Sequence, residues 1–187
     1  LDRGCRGVSG NEGAGDMVGD LLTPLFVPAT RTALISKAFA AGADAIIFDL
    51  EDAVAIPDKD RARAAAAAAD LSQGISILRI NAADTQWHRA DLEIAHRFAA
   101  VMVPKADDAG ALTAIHRACG RPLVALIETA KGIANVAAVA AAPGVARLAF
   151  GSVDLAADLG SAHLPDPLLP FRMQLVLASC LAGLPQP

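Results

Sequence analysis

From Pro24 onward, short continuous runs of Val, Ile, Leu, Phe and Ala alternate with Ala-rich stretches of helical length, and no two apolar runs adjoin through a hairpin turn. This alternation constrains the fold more than any other feature, because parallel strands need a long, usually helical, crossover between them, whereas antiparallel neighbours do not. The expected strands are Leu25 to Pro28, Ala45 to Leu50, Ser76 to Ile80, Ala100 to Pro104, Leu123 to Ile127 and Ala146 to Phe150. Each is short and almost unbroken in its apolar character, as a strand covered on both faces should be. Between them, Leu34, Ala38 and Ala41 share a helical face, as do Leu112, Ile115 and Cys119. Pro57 with Asp58 and Asp60 suits a first helical turn, Pro143-Gly144 ends an Ala-rich helix, and Leu168 to Leu181 supplies a sixth.

Consecutive strand and helix units of this kind build either an open doubly wound sheet or a β/α barrel. Polar residues at the strand ends favour the barrel, where chemistry sits at the junction of strand and following loop. The second strand runs into Glu51 and Asp52, the third into Asn81 just after Arg79, the fourth into Lys105 and the fifth into Glu128, while Asp154 follows the sixth. The Gly-rich fingerprint of a dinucleotide fold is missing after the first strand. The expected class is therefore α/β, a TIM-like (β/α)8 barrel truncated after six units, since a complete one takes about 250 residues and this chain has 187. Residues 1–22, Gly-rich with isolated charges, read as a disordered or non-native leader, and residues 23–187 as the partial barrel.

Composition excludes several function classes. Apolar stretches such as Leu123 to Ile127 and Val136 to Ala142 fall far short of the roughly 20 residues of a membrane span. A net charge of −4, with six Phe, one Trp and no Tyr, argues against nucleic acid as a partner. Cys5, Cys119 and Cys180 match neither a zinc spacing nor a disulfide framework, so reduced thiols in a cytoplasmic setting are expected. His88, His96, His116 and His163 share no spacing and read as surface residues.

The strand ends carry the chemistry. Neighbouring strands lie about 4.8 Å apart, so Glu128 and Asp154 can converge on one cation. Carboxylates without His or Cys select a hard ion, and Mg²⁺ retains water and shares positions with substrate oxygens. The other account of the same spacing makes Glu128 a helix cap and Asp154 the start of a loop. Arg79, near the end of an apolar strand, needs an anion: a substrate carboxylate, or Glu51 or Asp52, or each in turn. Glu51 and Asp52 are adjacent and project in different directions, so they do not read as a shared acid–base pair. Lys105 would be a Schiff-base lysine in a metal-independent aldolase, or else a solvated or carboxylate-paired one.

Read in order, Leu25-Phe26-Val27-Pro28, Asp49-Leu50-Glu51-Asp52-Ala53-Val54, Arg79-Ile80-Asn81, Val103-Pro104-Lys105, Ile127-Glu128-Thr129 and Phe150-Gly151-Ser152-Val153-Asp154 form one motif per unit, followed by Asp158-Leu159-Gly160. From about residue 24 to 184 this series resembles the citrate lyase beta-subunit-like branch of the HpcH/HpaI aldolase family. The resemblance implies a TIM barrel that makes or breaks carbon–carbon bonds in citryl, citramalyl or malyl thioesters of coenzyme A or an acyl carrier. It implies Mg²⁺ on Glu128 and Asp154, and the substrate carboxylate on Arg79. Glu51 and Asp52 would order Arg79 and the metal's waters, and Arg31, with Lys37, would reach the coenzyme A phosphates.

The implied reaction is a retro-aldol or retro-Claisen cleavage. In the resembled family an acidic residue of the C-terminal segment, in some members supplied by a neighbouring subunit, takes the hydroxyl proton. The sequence given stops at Gly183-Leu184-Pro185, where a seventh strand is expected. Two expectations follow: a Mg²⁺-dependent lyase that is a homo-oligomer, trimer or hexamer, in its full-length form, or an inactive barrel fragment that binds a partner.

Overall fold

The computed structural model describes residues 18–187; residues 1–17, with Cys5 and most of the expected leader, lie outside the described residues. Six parallel strands, β1 (Pro24–Pro28), β2 (Ala45–Asp49), β3 (Ile75–Arg79), β4 (Ala100–Val103), β5 (Leu123–Ile127) and β6 (Val145–Phe150), pair in sequential order from β1 to β6. A doubly wound sheet would reverse its order at a switch point, so this order is that of a β/α barrel. The expected strands match to within a residue at each end.

The helices are α1 (Ile35–Ala40), α2 (Lys59–Ala68), α3 (His88–Ala95), α4 (Ala109–Cys119), α5 (Ala130–Ala134), α6 (Val136–Ala140), α7 (Ser152–Asp158) and α8 (Pro165–Leu181). Local chemistry sets several of their ends. The Asp108 carboxylate accepts from the Ala111 amide at 2.7 Å to cap α4, and Gly120, at φ 62°, closes it in the left-handed region that glycine enters without strain. Short 3-10 segments, Ala29–Leu34 and Ile56–Asp58, lead into α1 and α2.

Alternation along the strands divides the core in two. Ile46, Phe48, Leu78, Val101, Val103, Ala125, Ile127 and Leu148 face the helices, and Phe48 meets Phe98 edge to face at 5.3 Å. Ala45, Ile47, Ile77, Met102, Val124 and Leu126 face inward and form a second cluster. Val18 and Leu21, which the sequence places in a leader, join this inner cluster: both are buried, and Arg147 donates to both their carbonyls, at 2.9 and 2.8 Å. β1 and α8 stay partly uncovered, with Phe26, on the inner face of β1, and Met173, Leu177 and Leu181, on α8, about half or more exposed. Among the described residues no helix is long and apolar enough to cross a membrane.

The helix-facing layer should dominate stability. Phe48→Ala removes a fully buried ring and its aromatic partner contact, and is expected to cost about 3–5 kcal/mol in urea denaturation. Leu25→Ser, at a partly exposed position on β1, should stay within about 0.5 kcal/mol.

Candidate active site

The inward parity that places Ile47 and Ile77 inside the sheet also carries Asp49 and Arg79, two residues further on, to the inner face at the strand ends. They are register partners on neighbouring strands. Their side chains form a two-pronged ion pair: Arg79 Nε donates to Asp49 Oδ1 at 2.8 Å and Nη2 to Oδ2 at 2.5 Å. Both residues are buried, and such a pair repays desolvation only when its geometry is this good. Burial works against the Arg79 charge, but the hydrogen bonds and charge of Asp49, with Glu51 and Asp52, raise its pKa above the usual value. The Phe26 ring, 4.9 Å from the guanidinium, flanks it.

The sequence reading gives Arg79 a substrate carboxylate, Glu51 or Asp52 as partner. The structure assigns Asp49 as its main anchor, and this residue is missing from that reading. Glu51 Oε2 lies 3.0 Å from Arg79 Nη1 but off its N–H direction, so this buried oxygen has an ion pair and no hydrogen bond. Asp52, mostly exposed, stands at 3.6 Å from the same nitrogen. Two of the three guanidinium nitrogens are thus committed to Asp49, and Nη1 faces two carboxylates without a hydrogen bond to either.

Glu128, directly after β5, is buried. It is not the cap of α5, because Thr129 Oγ1 takes that role by accepting from the Gly132 amide at 3.0 Å. Glu128 Oε1 instead accepts from the Lys105 amide at 2.8 Å. To present that amide, Lys105 adopts φ 49°, an uncommon conformation for a non-glycine residue. Its side chain is exposed, which does not match the buried amine that a Schiff-base lysine would need. A β-carbon at Gly151 would stand 2.7 Å from Glu128 Oε2 and 2.5 Å from its Cβ, so only glycine lets β6 pass this close to the carboxylate. Asp154 lies in the first turn of α7, where the helix dipole favours its charge.

Negative charge accumulates here. Burial, with the charges of Asp52 and Glu128 against that of Arg79, pushes Glu51 up to about 7. Burial also raises Glu128 to about 7; the Lys105 amide opposes this and the charge of Asp154 adds to it. Glu128 and Asp154 are therefore near enough to sense one another. Among the described residues no three His, Cys, Asp or Glu side chains form a cage. A hard cation fits the two carboxylates, with one Glu128 oxygen tied to an amide and the other beside Gly151, if water or substrate oxygens complete its shell.

Arg31 is exposed and breaks its 3-10 segment at φ −124° and ψ 45°. It lines an open cavity of about 520 Å³ with Thr30, Ala53, Asp58 and Arg61, beside the loop that carries Glu51 and Asp52. Lys37 is exposed on α1 and is not among the residues lining that cavity. His88 Nδ1 pairs with the Asn81 carbonyl at 2.9 Å and His163 Nε2 with Ser152 Oγ at 3.0 Å.

Comparison with known proteins shows the family. The chain is 40% identical over 164 residues to a (3S)-malyl-CoA thioesterase of Cereibacter sphaeroides, matching 84% of this chain and 56% of that protein. It is 35% identical over 181 residues to citrate lyase subunit beta of Escherichia coli, matching 86% of this chain and 60% of that subunit. The chain thus spans a little over half the length of these relatives. Among solved structures, CitE of Mycobacterium tuberculosis in complex with magnesium, acetoacetate and coenzyme A matches with a TM-score of 0.77 and 35% identity over 87% of this chain and 62% of that one. The M. tuberculosis citrate lyase beta subunit complexed with oxaloacetate and magnesium matches with a TM-score of 0.79 and 33% identity, over 89% and 78%. The family model for HpcH/HpaI aldolase/citrate lyase matches residues 22–184. The chain belongs to the HpcH/HpaI aldolase/citrate lyase family.

Proposed function

We propose that this site serves a Mg²⁺-dependent carbon–carbon lyase acting on a hydroxy-acyl thioester of the citryl, citramalyl or malyl class. The observation that carries the reading is the pairing of an anion-binding group, Arg79 Nη1, with a cation-binding pair, Glu128 just after β5 and Asp154 in the first turn of the helix after β6, at one end of the sheet. A 2-oxo acid product is an anion that also offers a carbonyl oxygen to a hard cation.

Arg79, anchored by Asp49, orients the substrate carboxylate through Nη1, displacing the long contact to Asp52. Glu128 and Asp154 would hold Mg²⁺, which when bound would supply Lewis-acid polarisation of the departing oxo acid's oxygen. In the cleavage a general base takes the hydroxyl proton, the carbon–carbon bond breaks with its electron pair passing to the carbon next to the thioester, and the protonated base, or water, returns a proton to that carbon. Glu51 and Asp52 stabilise the arginine and order water at the metal. Arg31 takes the phosphates of coenzyme A, or of the phosphopantetheine arm of a carrier, at the rim.

A second reading is thioester hydrolysis, favoured by the 40% identity to a (3S)-malyl-CoA thioesterase. The two differ in products: the lyase releases an oxo acid and a shorter thioester, the hydrolase a hydroxy acid and a free thiol. A panel of malyl, citramalyl and citryl thioesters separates them. Chelation should abolish turnover and Mg²⁺ restore it, Glu128→Ala should be inactive, and Arg79→Lys should lose about 100-fold in kcat/KM. Chelator-resistant turnover that vanishes in Lys105→Ala would overturn the metal route.

The raised carboxylates also predict a pH dependence in the metal-free protein. A folded pKa of about 7 against an ordinary value of 4.5 means that the native state binds more protons between those limits. The stability from Glu51 and Glu128 is therefore complete below pH 4.5 and lost as pH rises through about 7. The urea midpoint should fall over that window, less steeply in Glu128→Gln, and Mg²⁺ at neutral pH should recover part of the loss.

A further inference from the structure

We propose that Lys59 is a positioning residue of this site, clamping the end of β2 so that Glu51 is delivered to the uncommitted nitrogen of Arg79. The inference rests on the reading of Arg79 as the substrate anchor. Lys59 opens α2, a position where the helix dipole disfavours a cation, and it is buried. All three of its donors are used: Nζ lies 2.7 Å from the Leu50 carbonyl, 2.7 Å from the Glu51 carbonyl and 2.6 Å from Asn81 Oδ1. None of these partners is a carboxylate. Burial lowers the Lys59 pKa and the charges of Glu51, Asp49, Asp91 and Asp52 oppose this, yet its three hydrogen bonds go to neutral acceptors, two of them in the backbone of the site loop.

The neutral partner is itself held. Asn81 donates from its amide nitrogen and its main chain to Asp91 Oδ2, at 2.7 and 2.8 Å, and Asp91 Oδ1 accepts from Arg63 Nε at 2.7 Å. The Trp87 ring lies 5.4 Å from the ammonium. The chain Arg63, Asp91, Asn81, Lys59 therefore ends on two carbonyls just past β2. At Glu51 the main chain is gripped on both sides, its carbonyl by Lys59 and its amide by Asp49 Oδ1 at 2.8 Å. Its side chain is left to reach 3.0 Å from Arg79 Nη1. Asp49 fixes the arginine and one side of the loop, and Lys59 fixes the other.

Lys59, Glu51, Asp52, Asn81 and Trp87 also line an open cavity of about 320 Å³, which gives a small amine a route to the vacated position in a truncated variant. The test uses the purified chain with Mg²⁺ and pyruvate as a 2-oxo acid probe. It combines calorimetry with NMR of the Arg79 Nε–H and the Glu51 carboxyl carbon in the ligand-free protein. In Lys59→Met both resonances should shift and pyruvate affinity should fall roughly tenfold or more, the scale on which outer partners of a site act. In Lys59→Ala, ethylammonium should move both resonances back toward wild type, which a merely packing role would not produce.

If Lys59→Met does not fold, Asp91→Asn, two links from the loop, should give a smaller shift of the Glu51 carbon. Unchanged Arg79 and Glu51 resonances in whichever variant folds overturn the proposal. Shifted resonances in a protein whose wild type binds no pyruvate would instead overturn the lyase reading and leave the clamp standing.

Discussion

The ion pair between Asp49 and Arg79 is the constraint around which the rest of the site is arranged. A guanidinium on the inner face of a sheet, among Ile47, Ile77 and Met102, cannot be left without a counter-charge. Breaking such a pair from one side costs about 3–5 kcal/mol. Parallel register puts the counter-charge directly opposite, on the neighbouring strand, where both prongs engage. That engagement fixes the plane of the guanidinium and decides which nitrogen remains for other work. The same Asp49 carboxylate also receives the Glu51 amide, so the strand pair and the loop that follows β2 share one anchor.

Charge at the strand ends does not balance without something more. Asp49 is matched by Arg79, but Glu51, Asp52, Glu128 and Asp154 gather nearby, with Lys59 and Lys105 as further cations felt at Glu51. Buried carboxylates in this position hold their protons to about pH 7, or else share a cation. Two local features concern Glu128: Lys105 takes a left-handed backbone to present its amide, and Gly151 leaves room for a close approach to the carboxylate. The left-handed φ of Lys105 is the kind of strain that gathers at functional sites.

The sequence made the strands, Arg79, Glu128 and Asp154 legible for a single reason: each polar residue interrupts or ends an apolar run. Asp49 was hidden by the same rule, because it sits inside the DLEDAV motif, where the pair after it draws the eye. Counting by twos from Ile47 and Ile77 to Asp49 and Arg79 would have found it, since both then fall on one face. Lys59 gave no such signal, as a basic residue opening a helix reads as solvated. Only the tertiary meeting of α2, Asn81 and Asp91 shows that it is buried. Thr129 was also illegible as the cap that releases Glu128, because Glu and Thr are adjacent and either suits the position. Residues 18–22 read as leader because Val18 and Leu21 are isolated apolar residues, and Arg147, which binds both their carbonyls, is over a hundred positions away.

Satisfied and unsatisfied groups separate in a way that argues for chemistry rather than stability at this end of the sheet. Lys59, Asn81 and Asp91 complete their bonds with protein partners and form a support. Around them stand groups with spare capacity: Glu51 Oε2 without a hydrogen bond, Arg79 Nη1 without a committed acceptor, Glu128 Oε2 beside a glycine, and the exposed carboxylates of Asp52 and Asp154. A site evolved for stability alone would pair these or replace them with apolar side chains, which is often at least as stable. Their placement on a framework that fixes their positions is what a reaction needs, because groups already in place do not have to reorganise when charge develops between them.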